Sequence, residues 1–192
     1  MKILHSRIEY LTELKNLLPI SPICVEIGVA DGYFSKQIFN VFNPDKLFLI
    51  DPWKFGHDKN DKPTYGASLS YAPTSYSTSE NYDHVIKYFY DQIKNNRVIV
   101  RSDYSYNVVN DFPDNYFDFI YIDACHLYNC VKSDLNNYLP KLKSNGLMCG
   151  HDYLNFDEFG VIQAVDEFCV EHNFEMIIFN DNNGCDWVLK RR

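Results

Sequence analysis

The sequence lacks any run of about 18 apolar residues, so no segment is long enough to cross a bilayer as a helix. It lacks a C-x-x-C pair. The six cysteines, 24, 125, 130, 149, 169 and 185, therefore offer no zinc framework, and most lie within apolar patterns. They read as buried free thiols of a cytoplasmic protein. It lacks an excess of basic residues. A formal charge of −8 argues against a protein built to coat nucleic acid. Lys190-Arg191-Arg192 is a small basic cluster that reads as a solvated tail. It also lacks the G-x-G-x-x-G fingerprint of dinucleotide oxidoreductases. No secretory signal opens it. Residues 1–20, "MKILHSRIEYLTELKNLLPI", mix charges through apolar positions and predict an amphipathic N-terminal helix. With no internal repeat, the 192 residues suggest a single domain spanning 1–192.

What the sequence has is an alternation of strands and helices. "ICVEIGV", "KLFLID", "RVIVRSD", "YFDFIYID", "GLMCGHDY" and "FEMIIFN" are short apolar strands, and "GCDWVLKR" reads as a seventh. Helical patterns fill the gaps: "GYFSKQIFNVF", "SENYDHVIKYFYDQIKNN", "YNCVKSDLNNYLPKLKSN" and "EFGVIQAVDEFCVEH". Continuous apolar strands alternating with helices predict an α/β doubly wound sheet, mostly parallel and covered on both faces. Only "DNNG" separates the last two strands, which predicts an antiparallel hairpin. Residues 54–78, rich in Gly, Pro, Ser, Thr and Tyr, fit neither pattern. They read as an insertion, either a lid or substrate loop shaped by Tyr65, Tyr71 and Tyr76, or a plain surface loop.

In such a sheet, ligands bind outside the carboxyl ends of the strands. Gly28 and Gly32 bracket the turn after the first strand, where glycine lets the backbone approach a ligand. Glu26 sits inside an otherwise apolar strand and needs a partner there. Asp51 ends the second strand. A carboxylate at that place can accept both hydroxyls of a ribose, or else cap the turn before Pro52.

With these residues in hand, "VEIGVADGYFS", "LFLIDPW" and "FDFIYIDACHLYNCVKSDLNNYLPKLKSNGLMCGHDY" resemble the class I S-adenosylmethionine-dependent methyltransferases, over nearly the whole chain. The last segment is similar to small O-methyltransferases with the patterns I-D-G-D-H-x-Y and G-H-D-Y, of which macrocin-type and catechol-type enzymes are more distant relatives. The resemblance implies a Rossmann-like seven-stranded sheet in the order 3-2-1-4-5-7-6, with strand 7 antiparallel. It implies S-adenosylmethionine as cofactor, held by Glu26, Gly28, Asp31, Gly32, Asp51, Ser102, Asp103 and Asp123. It implies a hydroxyl-bearing small molecule as acceptor, from a group that includes sugars, glycosides and phenols, with a sugar or glycoside expected; the charge and the lack of a long apolar run argue against a nucleic acid or membrane partner. A homo-oligomer is left open. The sequence departs from the pattern at Cys125, where the family has a second acid, and at Ser144-Asn145-Gly146, where it has P-G-G.

Methyl transfer to an alcohol needs an acceptor oxygen placed in line with the C–S bond and relieved of its proton. Asp123 and Asp152 end adjacent parallel strands, so their carboxylates can converge on a divalent cation, Mg²⁺ or Mn²⁺. His151 is the third candidate ligand, or else a second base or support; in a metal-free alternative His126 or His151 is the base and Asp152 orients it. In catechol-type relatives the position of His126 carries the base, so the resemblance makes His126, with Asp123 and Asp152, the catalytic set. Four rival readings find less support. A two-His-one-carboxylate iron oxygenase normally has a jelly-roll fold. A nicotinamide enzyme lacks its glycines. A nucleic-acid amino-methyltransferase would carry [DNS]-P-P-[YFW] where this chain has "DACH". A non-catalytic module would have no use for the intact polar set.

Overall fold

The computed structural model describes residues 2–3, 6–53, 78–156, 159–181 and 184–192. Among the described residues, eight strands form one sheet: β1 (Lys2–Ile3), β2 (Ile23–Ile27), β3 (Lys46–Ile50), β4 (Val98–Arg101), β5 (Phe117–Ile122), β6 (Leu142–Gly150), β7 (Phe174–Asp181) and β8 (Gly184–Arg191). The helices are α1 (Arg7–Lys15), α2 (Tyr33–Phe42), α3 (Thr78–Tyr88), α4 (Tyr90–Lys94), α5 (Ser105–Val108), α6 (Tyr128–Tyr138) and α7 (Val161–His172). Across the sheet the strands run β4-β3-β2-β5-β6-β8-β7-β1. Without the two-residue β1, this is the expected order 3-2-1-4-5-7-6, and β8, the seventh, is antiparallel to both its neighbours.

Alternation along the central strands builds two cores. Cys24, Phe119, Tyr121, Leu147 and Cys149 face one side, where Leu11 and Leu14 of α1 and Phe34, Ile38 and Phe42 of α2 close over them. Val25, Ile27, Ile120, Ile122 and Met148 face the other, under Val131 and Leu135 of α6 and Ala164, Val165 and Phe168 of α7. All six residues of β5 are buried, as its position between β2 and β6 demands. Each such aromatic or aliphatic side chain contributes about 1.5–3 kcal/mol.

Several sequence expectations need correction. The N-terminal helix covers Arg7–Lys15 rather than 1–20. Ser6 caps it by accepting from Glu9 N–H, the chain before it pairs with β7, and Pro19 and Pro22 lie beyond its end. The second helical pattern is broken at Phe89 into α3 and α4. The fifth expected strand begins earlier, at Leu142. Phe117 pairs with Leu142 but Phe119 with Leu147, so residues 143–146 bulge out of the ladder at the Asn145-Gly146 turn signal. Lys190 and Arg191 belong to β8 and are not a free tail. Cys125 and Cys130 are joined by a disulfide, so the expectation of six free thiols fails for this pair. The turn from β5 into α6 brings their Cα atoms to 5.8 Å. The insertion 54–78, with Tyr65, Tyr71 and Tyr76, lies outside the described residues except for Thr78, which opens α3. Among the described residues no helix is long and apolar enough to cross a membrane.

Candidate active site

Register decides which residues meet. Ile27, Ile50, Ile122 and Gly150 are in register across β3-β2-β5-β6, and Arg101 pairs with Ile50. The residues that follow them, Gly28, Asp51, Asp123, His151 and Ser102, therefore line up along the carboxyl edge of the sheet. Backbone bonds continue the ladder by one step: Asp123 N–H donates to Ile27 O at 2.8 Å, and His151 N–H to Ile122 O at 3.2 Å.

At the β2 and β3 ends, the geometry is made of backbone. Gly28 has φ +85°, and a Cβ there would lie 2.0 Å from the carbonyl oxygen of Asp123. No side chain fits between the two turns. Asp51 Oδ2 accepts from Val29 and Ala30 N–H at 2.9 and 3.0 Å, and Oδ1 from Trp53 N–H at 2.7 Å. Trp53 Nε1 returns to Ala30 O at 2.8 Å. Ala30 and Trp53 both take the left-handed conformation, φ +49° and +44°, which these bonds hold in place. Asp51 thus caps the turn. A carboxylate has about four lone-pair sites, so roughly one stays open for a hydroxyl.

The other expected cofactor residues frame this turn. Glu26 is 1% exposed and accepts from Ser35 Oγ, tying β2 to α2, and burial pushes its carboxyl up to about 8. Asp31 Oδ1 accepts from Tyr33 N–H at 2.9 Å, and Gly32 is the N-cap of α2. Ser102 Oγ is 3.4 Å from Pro52 O. Asp103 Oδ1 accepts from Tyr104 N–H and Asn107 Nδ2, shaping the entry to α5.

At the β5 and β6 ends, side chains make the geometry. His126 Nε2 stands 2.8 Å from Asp152 Oδ2 and 3.9 Å from Asp123 Oδ1. The three side chains are 17–27% exposed. Asp152 reaches this place through a left-handed backbone, φ +57°, which aspartate tolerates better than most residues. Gly150 lets β6 approach Trp187, since a Cβ there would lie 2.3 Å from the indole. That indole donates to His151 O. The His126 ring packs on Phe159 at 4.4 Å, and Gly160 N–H donates to His126 O at 2.8 Å.

Electrostatics bind this cluster tightly. Burial pulls His126 down, but the Asp123 and Asp152 carboxylates overcome it and raise the imidazole to about 9. Burial pushes Asp152 up, and His126 and His151 outweigh it and hold the carboxyl well below its usual range. Asp123 is lowered for the same reason, with Arg7 contributing. His126 Nε2 is nevertheless buried without a hydrogen bond of acceptable angle, despite its 2.8 Å approach to Asp152. Asp123, His126 and Asp152 form the one group of this kind among the described residues that can offer a cation three ligand atoms. His151, expected as a ligand, stands outside it, with Nδ1 3.1 Å from the second oxygen of Asp152. A cavity of about 10 Å³, the space of one water, is lined by Asp123, His126 and His151 together with Val131, Val161 and Trp187.

Sequence reasoning missed one participant. Arg7 lies on the same helical stripe as the buried Tyr10, Leu11 and Leu14, and reaches from α1 to Asp123. A charged residue heading an apolar stripe was the only signal.

This strand order, with a glycine turn after its first long strand and an acid after the next, is the Rossmann-like methyltransferase fold. The chain belongs to the methyltransferase domain family, whose profile matches residues 25–153. No curated protein matches its sequence significantly. Solved structures are similar in fold at low identity. A Corynebacterium glutamicum protein is 15% identical with a TM-score of 0.66, covering 97% of this chain and 81% of its own. The O-methyltransferase NovP is 16% identical, TM-score 0.65, covering 97% and 80%. A candidate rRNA methylase from Clostridium thermocellum is 14% identical, TM-score 0.65, covering 100% and 99%.

Proposed function

We propose that this methyltransferase methylates a hydroxyl oxygen of a small molecule, a sugar or glycoside, with a divalent cation held by Asp123, His126 and Asp152. The convergence of those three side chains beside the Gly28 turn is the observation that carries the reading. The donor set fits a cation. Ligands that share one ion at about 2.0–2.2 Å stand up to about 4.3 Å apart, and both measured separations from His126 fall within that. Two carboxylates and one imidazole suit Mn²⁺ or another transition ion at least as well as Mg²⁺.

S-adenosylmethionine supplies a methyl already activated by its sulfonium. The cation supplies a lower pKa for the acceptor hydroxyl. The chain's own residues do the placing. Asp51 keeps the 28–32 turn in shape with an acceptor site open toward a ribose hydroxyl. Gly28 brings that turn against Asp123, so donor and acceptor ends of the site are neighbours. The Phe159 ring packs against the His126 imidazole and supports its orientation. Such positioning contributes on the order of 7–11 kcal/mol in favourable cases. This reading moves His126 from base to ligand, because its Nε2 converges with both carboxylates, 2.8 Å from Asp152 and 3.9 Å from Asp123. It moves His151 from ligand to the partner that orients Asp152.

The test is transfer of labelled methyl from S-adenosylmethionine to a panel of glycosides and phenols, before and after chelation and with Mn²⁺ restored. Metal-dependent labelling of a hydroxyl compound is expected. Labelling of RNA alone would overturn the acceptor class. Undiminished labelling after thorough chelation would overturn the cation.

A further inference from the structure

Arg7 stands at the far end of the sequence from the residues it touches. Its guanidinium lies 3.7 Å above the Phe34 ring and 5.4 Å from the Tyr121 ring centre. Nη2 donates to the Tyr121 hydroxyl and lies 3.5 Å from both Asp123 Oδ2 and Asp186 Oδ1. The Tyr121 hydroxyl in turn donates to Asp186 Oδ1. Asp186 is 3% exposed, and Tyr121 is fully buried. The guanidinium is therefore fixed by an aromatic face on one side and two anchored oxygens on the other. It cannot swing away without leaving the buried Asp186 carboxylate with the Tyr121 hydroxyl but no countercharge from Arg7.

The division of labour at Asp123 is the informative point. One oxygen, Oδ2, meets Arg7, and the other, Oδ1, faces His126. A free carboxylate rotates and can engage a cation through either oxygen or both. A carboxylate tethered at one oxygen presents the other in a single direction. We infer that Arg7 is a positioning residue for the cation site: it holds Asp123 so that Oδ1 alone is offered beside His126 and Asp152. The inference rests on the cation reading above. It also gives α1 a role beyond packing, because docking of its apolar stripe carries Arg7 to the reactive edge of the sheet.

Electrostatics alone predicts the opposite effect of removing Arg7. A guanidinium near a cation site repels the cation, so its loss should tighten binding. Orientation predicts weaker binding. The test is Mn²⁺ binding to the S-adenosylhomocysteine-saturated protein, followed by the paramagnetic signal of free Mn²⁺. The wild type is expected to bind one ion. Arg7→Met, which keeps the stem and loses the fork, should bind about 10–100-fold more weakly. Arg7→Lys should fall between them. Arg7→Met combined with Asp186→Asn removes the buried unpaired carboxylate and so guards against unfolding. This double variant should remain folded by its thermal transition and bind as weakly as Arg7→Met.

Equal or tighter Mn²⁺ binding in the folded double variant would overturn the role of Arg7 while leaving the cation site standing. A wild type that binds no Mn²⁺ would overturn both, which separates the two failures.

Discussion

The two halves of the candidate active edge are built from the same material in different ways. After β2 and β3, one carboxylate, Asp51, spends its oxygens on three backbone N–H groups. After β5 and β6, two carboxylates spend theirs on side chains: Asp123 on Arg7 and His126, Asp152 on His126 and His151. The first arrangement fixes a turn, and its shape is the product. The second holds charges ready for exchange, and its composition is the product. A backbone-made site loses its cofactor when the chain path is disturbed. A side-chain-made site loses its chemistry while the path survives.

The most damaging way to break this contrast is Gly28→Ala. The new Cβ needs space occupied by Asp123 O and a left-handed φ, so stability should fall by about 4 kcal/mol in chemical denaturation, with both halves lost together. Next is Asp152→Asn. Mn²⁺ affinity should fall at least about a hundredfold, more than for a supporting partner, while the thermal shift with S-adenosylhomocysteine persists. The same titration sharpens the assignment of His126. With its imidazole near 9, the group is protonated at pH 7.5 and must be neutral to ligate, so binding should release close to one proton, read from the buffer dependence of the calorimetric heat. No release would remove His126 from the ligand set.

Asp51→Ala should cost about 2 kcal/mol and abolish the S-adenosylhomocysteine shift without changing Mn²⁺ affinity by more than about twofold. The effect smallest at each step, though it accumulates across the window, is a slope. Burial raises Glu26 to about 8 from 4.5. The folded state therefore binds a proton that the unfolded state has lost between those values. That contribution to stability is fully present below 4.5 and fades as pH rises through 8, by at most about 1.4 kcal/mol per pH unit. Glu26→Gln should flatten the stability profile in that window relative to wild type.

Much of the fold was legible in the sequence because buried strands and amphipathic helices have different periods. The hairpin was legible because "DNNG" is too short for a crossover. Boundaries were less legible. Leu142–Lys143 reads as the tail of a helix, yet Leu142 pairs with Phe117, since an edge open on β5 outweighs a weak local preference. Within the candidate site, the polar residues at the strand ends could be named as candidates because strand ends carry polar residues, whereas Arg7, Trp53 and Phe159 could not. The sequence offers His126 as base and His151 as a candidate ligand, but nothing local in it says which imidazole stands between the carboxylates. Only the left-handed turn at Asp152 and the position of the β5–α6 loop put one imidazole between the carboxylates and the other behind them.

The sequence by itself determined the sheet, its order by resemblance, and the row of polar residues along its carboxyl edge, since periodicity and strand ends are local properties of the chain. Only the tertiary structure decided that Asp51 serves the backbone, that Cys125 is paired with Cys130, and that Arg7 meets Asp123. Those contacts depend on register between strands and on where helix α1 docks. Both are settled by packing among residues far apart in sequence, which no local pattern records.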